Sequence, residues 1–224
     1  MLKAVIFDFN GILVDDEPIH LELFRKVLAE EGFALTKEVY LQKYMGMDDR
    51  GCFRAVFEDS GRKLDDAKLA ELIGRKAQFY RDTIAERIVI FPGVKRLVPE
   101  LAARFPLAVA SGALRAEIEM ILQVGGLRNY FQVIASAEDV NHGKPHPEVF
   151  INALRGLNEK RRDPIRASEC LVIEDTKDGI RAAHRAGIKC LAVTNSYPAA
   201  ELEAEAVVAS LEEVTIPFLE SLFK

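Results

Sequence analysis

Residues 4–15 read AVIFDFNGILVD, and this stretch decides the fold. Its first half is apolar without interruption, which is typical of a short strand covered on both faces of a sheet. Asp8 then lies at the carboxyl end of that strand, where open parallel sheets place their ligands. Gly11 permits a tight turn directly afterwards. A carboxylate in this position can attack phosphorus or hold a cation, although an ordinary turn acid would look the same.

Similar short apolar runs recur along the chain, separated by amphipathic segments. They predict strands at Ala4–Phe9, Leu107–Ala110, Gln132–Ala135, Leu171–Glu174, Cys190–Val193 and Ala206–Ala209. Between them, apolar residues return at helical spacing, as at Val94, Leu97, Val98 and Leu101. Strands that alternate with helices predict an α/β fold with a doubly wound parallel sheet.

One interval breaks this alternation. Residues from about 17 to 85 show helical periodicity and contain no convincing strand. Residues 88–91 are apolar and are followed by Pro92-Gly93, which marks the return to the sheet. We therefore expect a core built from residues 1–15 and 87–224, with residues 16–86 inserted between them as a small helical domain.

The composition narrows the class of protein. A chain of 224 residues with 49% hydrophobic and 29% charged residues can fill one core and carry an insertion. The net charge of −5 argues against nucleic-acid binding, which needs concentrated positive charge. The three cysteines form no CxxC pair, and no apolar stretch approaches the roughly 20 residues of a membrane span. The opening segment, with an acid at position 8, does not read as a signal peptide. We expect a cytoplasmic protein that binds neither membranes nor nucleic acid.

Three further segments carry polar residues at the ends of predicted strands. Ser111 and Gly112 offer a hydroxyl and backbone N–H groups ahead of a helix, which suits an anion. Lys144 lies in a loop that two prolines restrict. Glu174 and Asp175 place two acids after an apolar run, and such hard oxygen ligands suit magnesium. Each feature alone has an ordinary explanation, as a helix cap, a surface lysine or a turn acid. Together with the segment at Asp8 they make four polar segments in this order at strand ends, and no ordinary explanation covers all four.

The four segments resemble the four sequence motifs of the haloacid dehalogenase superfamily, across essentially the whole chain. The resemblance implies a Rossmann-like core and a reaction through an aspartyl-phosphate on Asp8. It also implies that Mg²⁺ is held by Asp8, the carbonyl of Asn10 and Asp175, with Glu174 nearby in the metal shell. Ser111 and Gly112 would hold the transferring phosphoryl group, and Lys144 would neutralise that group and Asp8.

The helical insertion resembles the small cap of the branch that contains β-phosphoglucomutase and sugar-phosphate phosphatases. The resemblance implies substrate contacts from His20, Arg50 and Lys76. Residues 46–50 resemble the substrate-specificity loop of that branch, with the arginine displaced by one position. From the residues alone, His20 reads equally well as a helix-start surface residue, Arg50 as a loop arginine and Lys76 as a solvated helix lysine.

Asn10 departs from this pattern. Phosphatases and mutases of the branch carry an aspartate two residues after the nucleophile, which moves protons to and from the substrate. An amide cannot exchange a proton at neutral pH. Three explanations stay open: the chain is an engineered trap, His20 or substrate groups handle the protons, or the protein binds a metabolite without turning it over.

The sequence therefore predicts a magnesium-dependent phosphatase for a small phosphorylated metabolite, a sugar phosphate by class, acting as a monomer or weak dimer. The alternatives are a sugar-phosphate mutase and a non-catalytic binder of phosphorylated metabolites. His142 and His146 are four residues apart, a spacing that can bind zinc on a helix. Because Pro145 opposes a helix there and no third ligand is apparent, we expect no zinc site.

Overall fold

The chain forms two compact units. The computed structural model describes the backbone of residues 1–224 and the side chains outside residues 84–86. Met1–Asp15 and Val89–Lys224 make up one unit, here called the core unit, and Asp16–Ile88 make up the other, the cap unit. The cap unit thus ends at Ile88 rather than at residue 86. In this described chain, no helix combines the length and the apolar character needed to cross a bilayer.

The cap unit is helical. Its helices are α1 (Glu17–Glu30), α2 (Lys37–Lys43), α3 (Asp49–Asp59) and α4 (Asp66–Arg87). Side chains start three of them: Thr36, Asp48 and Asp65 each accept a hydrogen bond from the backbone N–H three residues later, as N-caps do. The helices bury a shared apolar cluster that includes Phe24, Val27, Leu28, Tyr40, Phe53 and Leu72.

The core unit contains a parallel sheet. Among the described residues its strands are β1 (Ala4–Phe7), β2 (Leu107–Ala110), β3 (Val133–Ala135), β4 (Cys170–Glu174), β5 (Lys189–Val193) and β6 (Ala206–Val208). They lie in the order β3-β2-β1-β4-β5-β6, and every neighbouring pair is parallel. The remaining helices are α5 (Val94–Ala102), α6 (Arg115–Val124), α7 (Glu148–Asn158), α8 (Lys177–Arg185) and α9 (Ile216–Ser221). The predicted α/β fold with a doubly wound parallel sheet is confirmed.

The strands lie where the apolar runs predict them, with small differences at their ends. Every residue of β1, β2 and β4 is buried, as uninterrupted apolar runs require. β1 ends at Phe7 rather than Phe9 because the Phe9 carbonyl accepts hydrogen bonds from the N–H groups of Leu13 and Val14, at 2.8 and 3.3 Å. These bonds turn the chain away from the sheet at the point where the polar residues begin.

The order of the strands determines where a ligand can bind. β1 lies between β2 and β4. The strands that follow along the chain are added outward on one side of β1 as β2 and β3, and then on its other side as β4, β5 and β6, so the direction of winding reverses at β1. Open α/β sheets bind ligands beyond the carboxyl ends of the strands at such a point. Phe7 of β1 is paired with Ile173 of β4, so Asp8 and Glu174 leave the sheet side by side.

Candidate active site in the core unit

Three carboxylates meet at the carboxyl ends of β1 and β4. Asp8, Glu174 and Asp175 are 6%, 0% and 1% exposed. One oxygen from each lies within 4.8 Å of one oxygen from each of the others. Asp8 is fixed by its own N–H, which donates to the Ile173 carbonyl at 2.9 Å. The structure therefore brings together the first and last polar segments that the sequence singles out.

Two glycines make room for this cluster. Gly11 has a φ of +78°, and a Cβ on it would lie 2.1 Å from Oδ2 of Asp175. A Cβ on Gly179, in the first turn of α8, would lie 1.6 Å from Oε1 of Glu174. Both carboxylates thus rest against backbone that any side chain would obstruct, so the glycines are part of the site.

Lys144 links two of the carboxylates. Its ammonium donates to Oδ1 of Asp8 and to Oε1 of Glu174, both at 2.7 Å, and its side chain is 12% exposed. Burial acts to lower the pKa of Lys144, but the charges of Asp8 and Glu174 outweigh burial and raise it. Lys144 therefore stays charged, as the neutralising role predicted from the sequence needs.

Glu174 is held by the protein on both of its oxygens. Beyond the Lys144 contact, its Oε2 accepts from the N–H groups of Asp175 and Thr176, at 2.7 and 2.6 Å, and from the Thr176 hydroxyl at 2.9 Å. The Thr176 hydroxyl oxygen also accepts from the N–H of Gly179 at 3.1 Å and caps α8. Glu174 thus positions Lys144 and the start of α8 while it lies in the acidic cluster.

The cluster carries more negative charge than Lys144 can balance. Burial, acting against the nearby Lys144 charge, raises the pKa of Asp8 to about 7. Burial and the charges of Glu174 and Asp8 raise the pKa of Asp175 well above its ordinary value. Oδ1 of Asp175 is buried, and no described residue donates a hydrogen bond to it. A divalent cation would supply both the missing charge and the missing partner, and magnesium prefers such all-oxygen donors. The residues present therefore fit the ion.

Ser111 and Asn10 lie together beside this cluster. The Ser111 hydroxyl donates to Oδ1 of Asn10 at 3.3 Å and accepts from the N–H of Ala113 at 3.0 Å. Ser111 is buried, whereas Gly112 is exposed. The residue at the N-cap of α6 is Leu114, so Ser111 orders the turn after β2 and does not cap the helix.

Comparison with known proteins identifies the family. Residues 5–193 match the family model of haloacid dehalogenase-like hydrolases. The chain belongs to this family. The hydrolase is 31% identical over 203 residues to Protein CbbY of Rhodobacter capsulatus, which covers 88% of this chain and 87% of that protein. It is 29% identical over 193 residues to the fructose-1-phosphate phosphatase YqaB of Escherichia coli K12, covering 85% and 95% of the two chains.

A solved structure supports the fold of the hydrolase over its whole length. The β-phosphoglucomutase of Clostridium difficile superposes with a TM-score of 0.86, covering 100% of this chain and 97% of that one. The two chains are 22% identical, so this similarity concerns the fold alone.

Sequence reasoning missed two polar residues of the hydrolase that follow β5. The Asn195 side chain donates from Nδ2 to the Gly11 carbonyl at 2.6 Å, and the Ser196 hydroxyl donates to Oδ2 of Asp175. The signal was present, because both residues follow an apolar run in the same way as Asp8 does. Applying the strand-end rule to β5 would have found them.

In the cap unit of the hydrolase, His20 and Lys76 belong to one buried polar cluster. Lys76 is 0% exposed, and its ammonium lies 2.6 Å from Oδ1 of Asp49 and 2.7 Å from Nδ1 of His20. His20 also lies 3.1 Å from Oδ2 of Asp16, on which the hydroxyl of Tyr80 converges. Burial and Lys76 act to lower the pKa of His20, but the two aspartates outweigh them and raise it.

This cluster changes how the three cap residues are interpreted. Lys76 is not a solvated helix lysine, because its charge is buried and paired. Asp49, which the sequence did not single out, occupies the place beside Lys76, while Arg50 is exposed. The substrate contacts expected of His20, Arg50 and Lys76 stay a prediction.

Proposed function

We propose that this hydrolase is a magnesium-dependent phosphatase that acts on a small phosphorylated metabolite, a sugar phosphate by class, with Asp8 as the nucleophile. The observation that carries the proposal is the pairing of a buried Asp8 with Lys144 beside Asp175, whose Oδ1 is buried without a hydrogen bond from any described residue. The relationship to the fructose-1-phosphate phosphatase of Escherichia coli supports the substrate class.

The proposed reaction has two displacements. A carboxylate oxygen of Asp8 attacks phosphorus, the ester P–O bond breaks, and its electron pair leaves on the sugar oxygen, which takes a proton from solvent. Water then attacks the aspartyl-phosphate, the P–O bond to Asp8 breaks, and inorganic phosphate leaves while the proton of the water passes to solvent. Two lower barriers replace one high barrier.

Charge balance is the main task of the residues around Asp8. An anionic carboxylate must approach an anionic phosphoryl group, and the ammonium of Lys144 at 2.7 Å offsets this repulsion. Magnesium held by Asp8, Asp175 and the Asn10 carbonyl would supply further positive charge at the phosphoryl oxygens. The Ser111 hydroxyl and the N–H of Gly112 are the donors proposed for those oxygens. Fixed donors and cations of this kind provide most of the catalysis in phosphoryl transfer.

Asn10 sets the speed of the first displacement. Its amide can orient a leaving oxygen but cannot protonate it, so esters with poor leaving groups should react slowly. The same residue supports a second candidate, a protein that binds phosphorylated metabolites through Lys144 and magnesium without hydrolysing them.

Phosphate release from a panel of sugar phosphates and one aryl phosphate tests the proposal. We expect release that requires magnesium, is abolished by a chelator and is lost in Asp8→Asn, which keeps the shape of the side chain. Acid quenching during turnover should trap phosphate on the peptide that contains Asp8.

The other outcomes separate the remaining candidates. Tight, magnesium-dependent binding of a sugar phosphate without release would favour the binder. An isomerised sugar phosphate without net release would favour the mutase. Undiminished turnover in Asp8→Asn would refute the proposed nucleophile.

A further inference from the structure

His142, His146 and Glu148 form a second group of potential ligands, on the surface of the core unit. His142 and His146 lie in the loop before α7, and Glu148 is the first residue of that helix. One ligand atom from each lies within 4.8 Å of one from each of the others. The sequence shows no third ligand near the two histidines, and the structure places the Glu148 carboxylate beside them. Glu148 was missed because the carboxylate reaches back over the loop.

The separations within this group are close to those of ligands on one ion. Nδ1 of His142 and Nδ1 of His146 lie 3.4 and 3.7 Å from Oε2 of Glu148. Hydrogen bonds to oxygen usually span about 2.7–3.2 Å. Two ligand atoms bound at about 2.0–2.1 Å to one tetrahedral ion lie about 3.3–3.4 Å apart. The imidazole side chains are 70% and 50% exposed, so rotation of these rings can complete the geometry.

The carboxylate of Glu148 is already oriented toward the histidines. Its Oε2 accepts from the backbone N–H groups of Asn141 and His142, at 3.2 and 3.1 Å. These bonds hold the carboxylate in place, and its Oε1, which Nδ2 of Asn141 approaches only at 3.5 Å, keeps a lone pair for an ion.

We propose that His142, His146 and Glu148 form a surface site for a transition metal of the zinc type. Two imidazoles and one carboxylate are a donor set that zinc accepts, and a water molecule would take the fourth position. The acidic cluster at Asp8 offers oxygen ligands alone and favours magnesium. The two sites therefore differ in the metal that they select.

Binding at this site would act on the loop that carries Lys144. Lys144 lies between the two histidine ligands in the chain, and its ammonium contacts Asp8 and Glu174. An ion bound to both histidines and to the first residue of α7 fastens this loop on either side of Lys144. Zinc should therefore slow hydrogen exchange of the backbone amides of His142, Gly143, Lys144 and His146.

Zinc binding by the full-length protein, free of any histidine tag, tests the proposal. A chromophoric chelator competes for zinc in the presence of excess magnesium, which occupies the acidic cluster. We expect one zinc ion per chain and a loss of affinity of about tenfold or more in His146→Gln and in Glu148→Gln. His142→Gln provides a third variant if the loss of Glu148 disturbs the start of α7.

His184→Gln is the matched control. His184 is 41% exposed and lies 3.1 Å from a carboxylate oxygen of Glu205, so it forms a histidine–glutamate pair outside the proposed site. This variant should bind zinc as the unmodified protein does. The buried thiols of Cys52, Cys170 and Cys190 do not compete for the ion.

Three results would overturn the proposal. The first is no zinc binding at about 1 mM. The second is equal binding by the unmodified protein and the His146→Gln variant. The third is an anomalous scattering peak, in zinc-soaked crystals, between Asp8 and Asp175 and none at His142 and His146. None of these readouts depends on phosphatase activity.

Discussion

Replacing the amide of Asn10 by a carboxyl group is expected to accelerate the proposed reaction. Asn10→Asp should raise turnover on sugar phosphates by about 10²–10⁴-fold, the usual contribution of a positioned acid or base. This gain corresponds to about 2.7–5.5 kcal/mol of activation free energy. The physical reason is that the leaving sugar oxygen needs a proton, which a carboxyl group can donate and an amide cannot.

The surroundings of Asn10 support a gain of this size. Oδ1 of Asn10 accepts from the Ser111 hydroxyl at 3.3 Å, and a carboxyl group can keep that bond in the same shape. The new acid would stand near the buried carboxylates of Asp8 and Asp175, whose negative charges raise the pKa of a neighbouring acid. A raised pKa keeps part of the population protonated near neutral pH, as a proton donor requires.

The assay compares leaving groups. The value of kcat/KM is measured for a sugar phosphate and for p-nitrophenyl phosphate, whose leaving group departs without a proton. The gain should be larger for the sugar phosphate, and binding of a phosphate analogue should change far less than turnover does. Peptide mapping is the control, because Asn10-Gly11 is prone to deamidation. Equal turnover of both proteins with every leaving group would refute the reasoning about Asn10.

Three further predictions concern the supporting structure. Lys76→Ala should destabilise the protein by about 3–5 kcal/mol, or lower Tm by about 6–20 °C, because it leaves a carboxylate in the cap unit without its buried partner. The control Lys68→Ala removes ion pairs at the surface, where the side chain is 34% exposed, and should lower Tm far less. Gly179→Ala should displace Glu174, cost about 1–3 kcal/mol in the free energy of unfolding and reduce turnover, while unchanged activity would contradict the role given to this glycine. Burial acts to raise the pKa of Asp139, but hydrogen bonds from a serine and the charge of an arginine outweigh burial and lower it. The ionised carboxylate therefore stabilises the folded protein. The Tm difference between the unmodified protein and Asp139→Asn should be full above pH ~4 and should shrink as the pH falls further.

The fold could be predicted from sequence because the strands of the core unit are buried on both faces. A strand covered on two sides must be apolar at consecutive positions, which makes runs such as Leu107–Ala110 visible without an alignment. The positions where the strands end were harder to predict because apolar residues continue beyond the last strand residue. Phe9 is buried and apolar like Phe7, but its carbonyl already belongs to the turn.

The cap unit contained a signal that was not used. In α4, Leu69, Leu72, Lys76 and Tyr80 are all buried, at the spacing of one helix face. Lys76 therefore lies on the apolar stripe, and a lysine in that position needs buried partners. Its partner Asp49 lies in another helix, and no local pattern connects the two residues. The pairing of His142 and His146 with Glu148 escaped for a similar reason, since the loop conformation brings them together.

The absence of a charge on Asn10 affects the electrostatic balance of the acidic cluster. Two unit charges about 5–6 Å apart, at an effective dielectric constant of about 20, interact by about 3 kcal/mol. Asn10 lies two residues after Asp8, whose carboxylate is buried with those of Glu174 and Asp175. The ionised fraction of an acid at position 10 would repel an incoming phosphate by up to this amount, and the uncharged amide adds no such repulsion. The amide therefore favours binding of the phosphoryl group, but it gives up the attraction that an ionised acid would add for magnesium and withholds the proton that the leaving oxygen needs. We therefore expect this protein to bind a phosphorylated substrate more readily than it hydrolyses it.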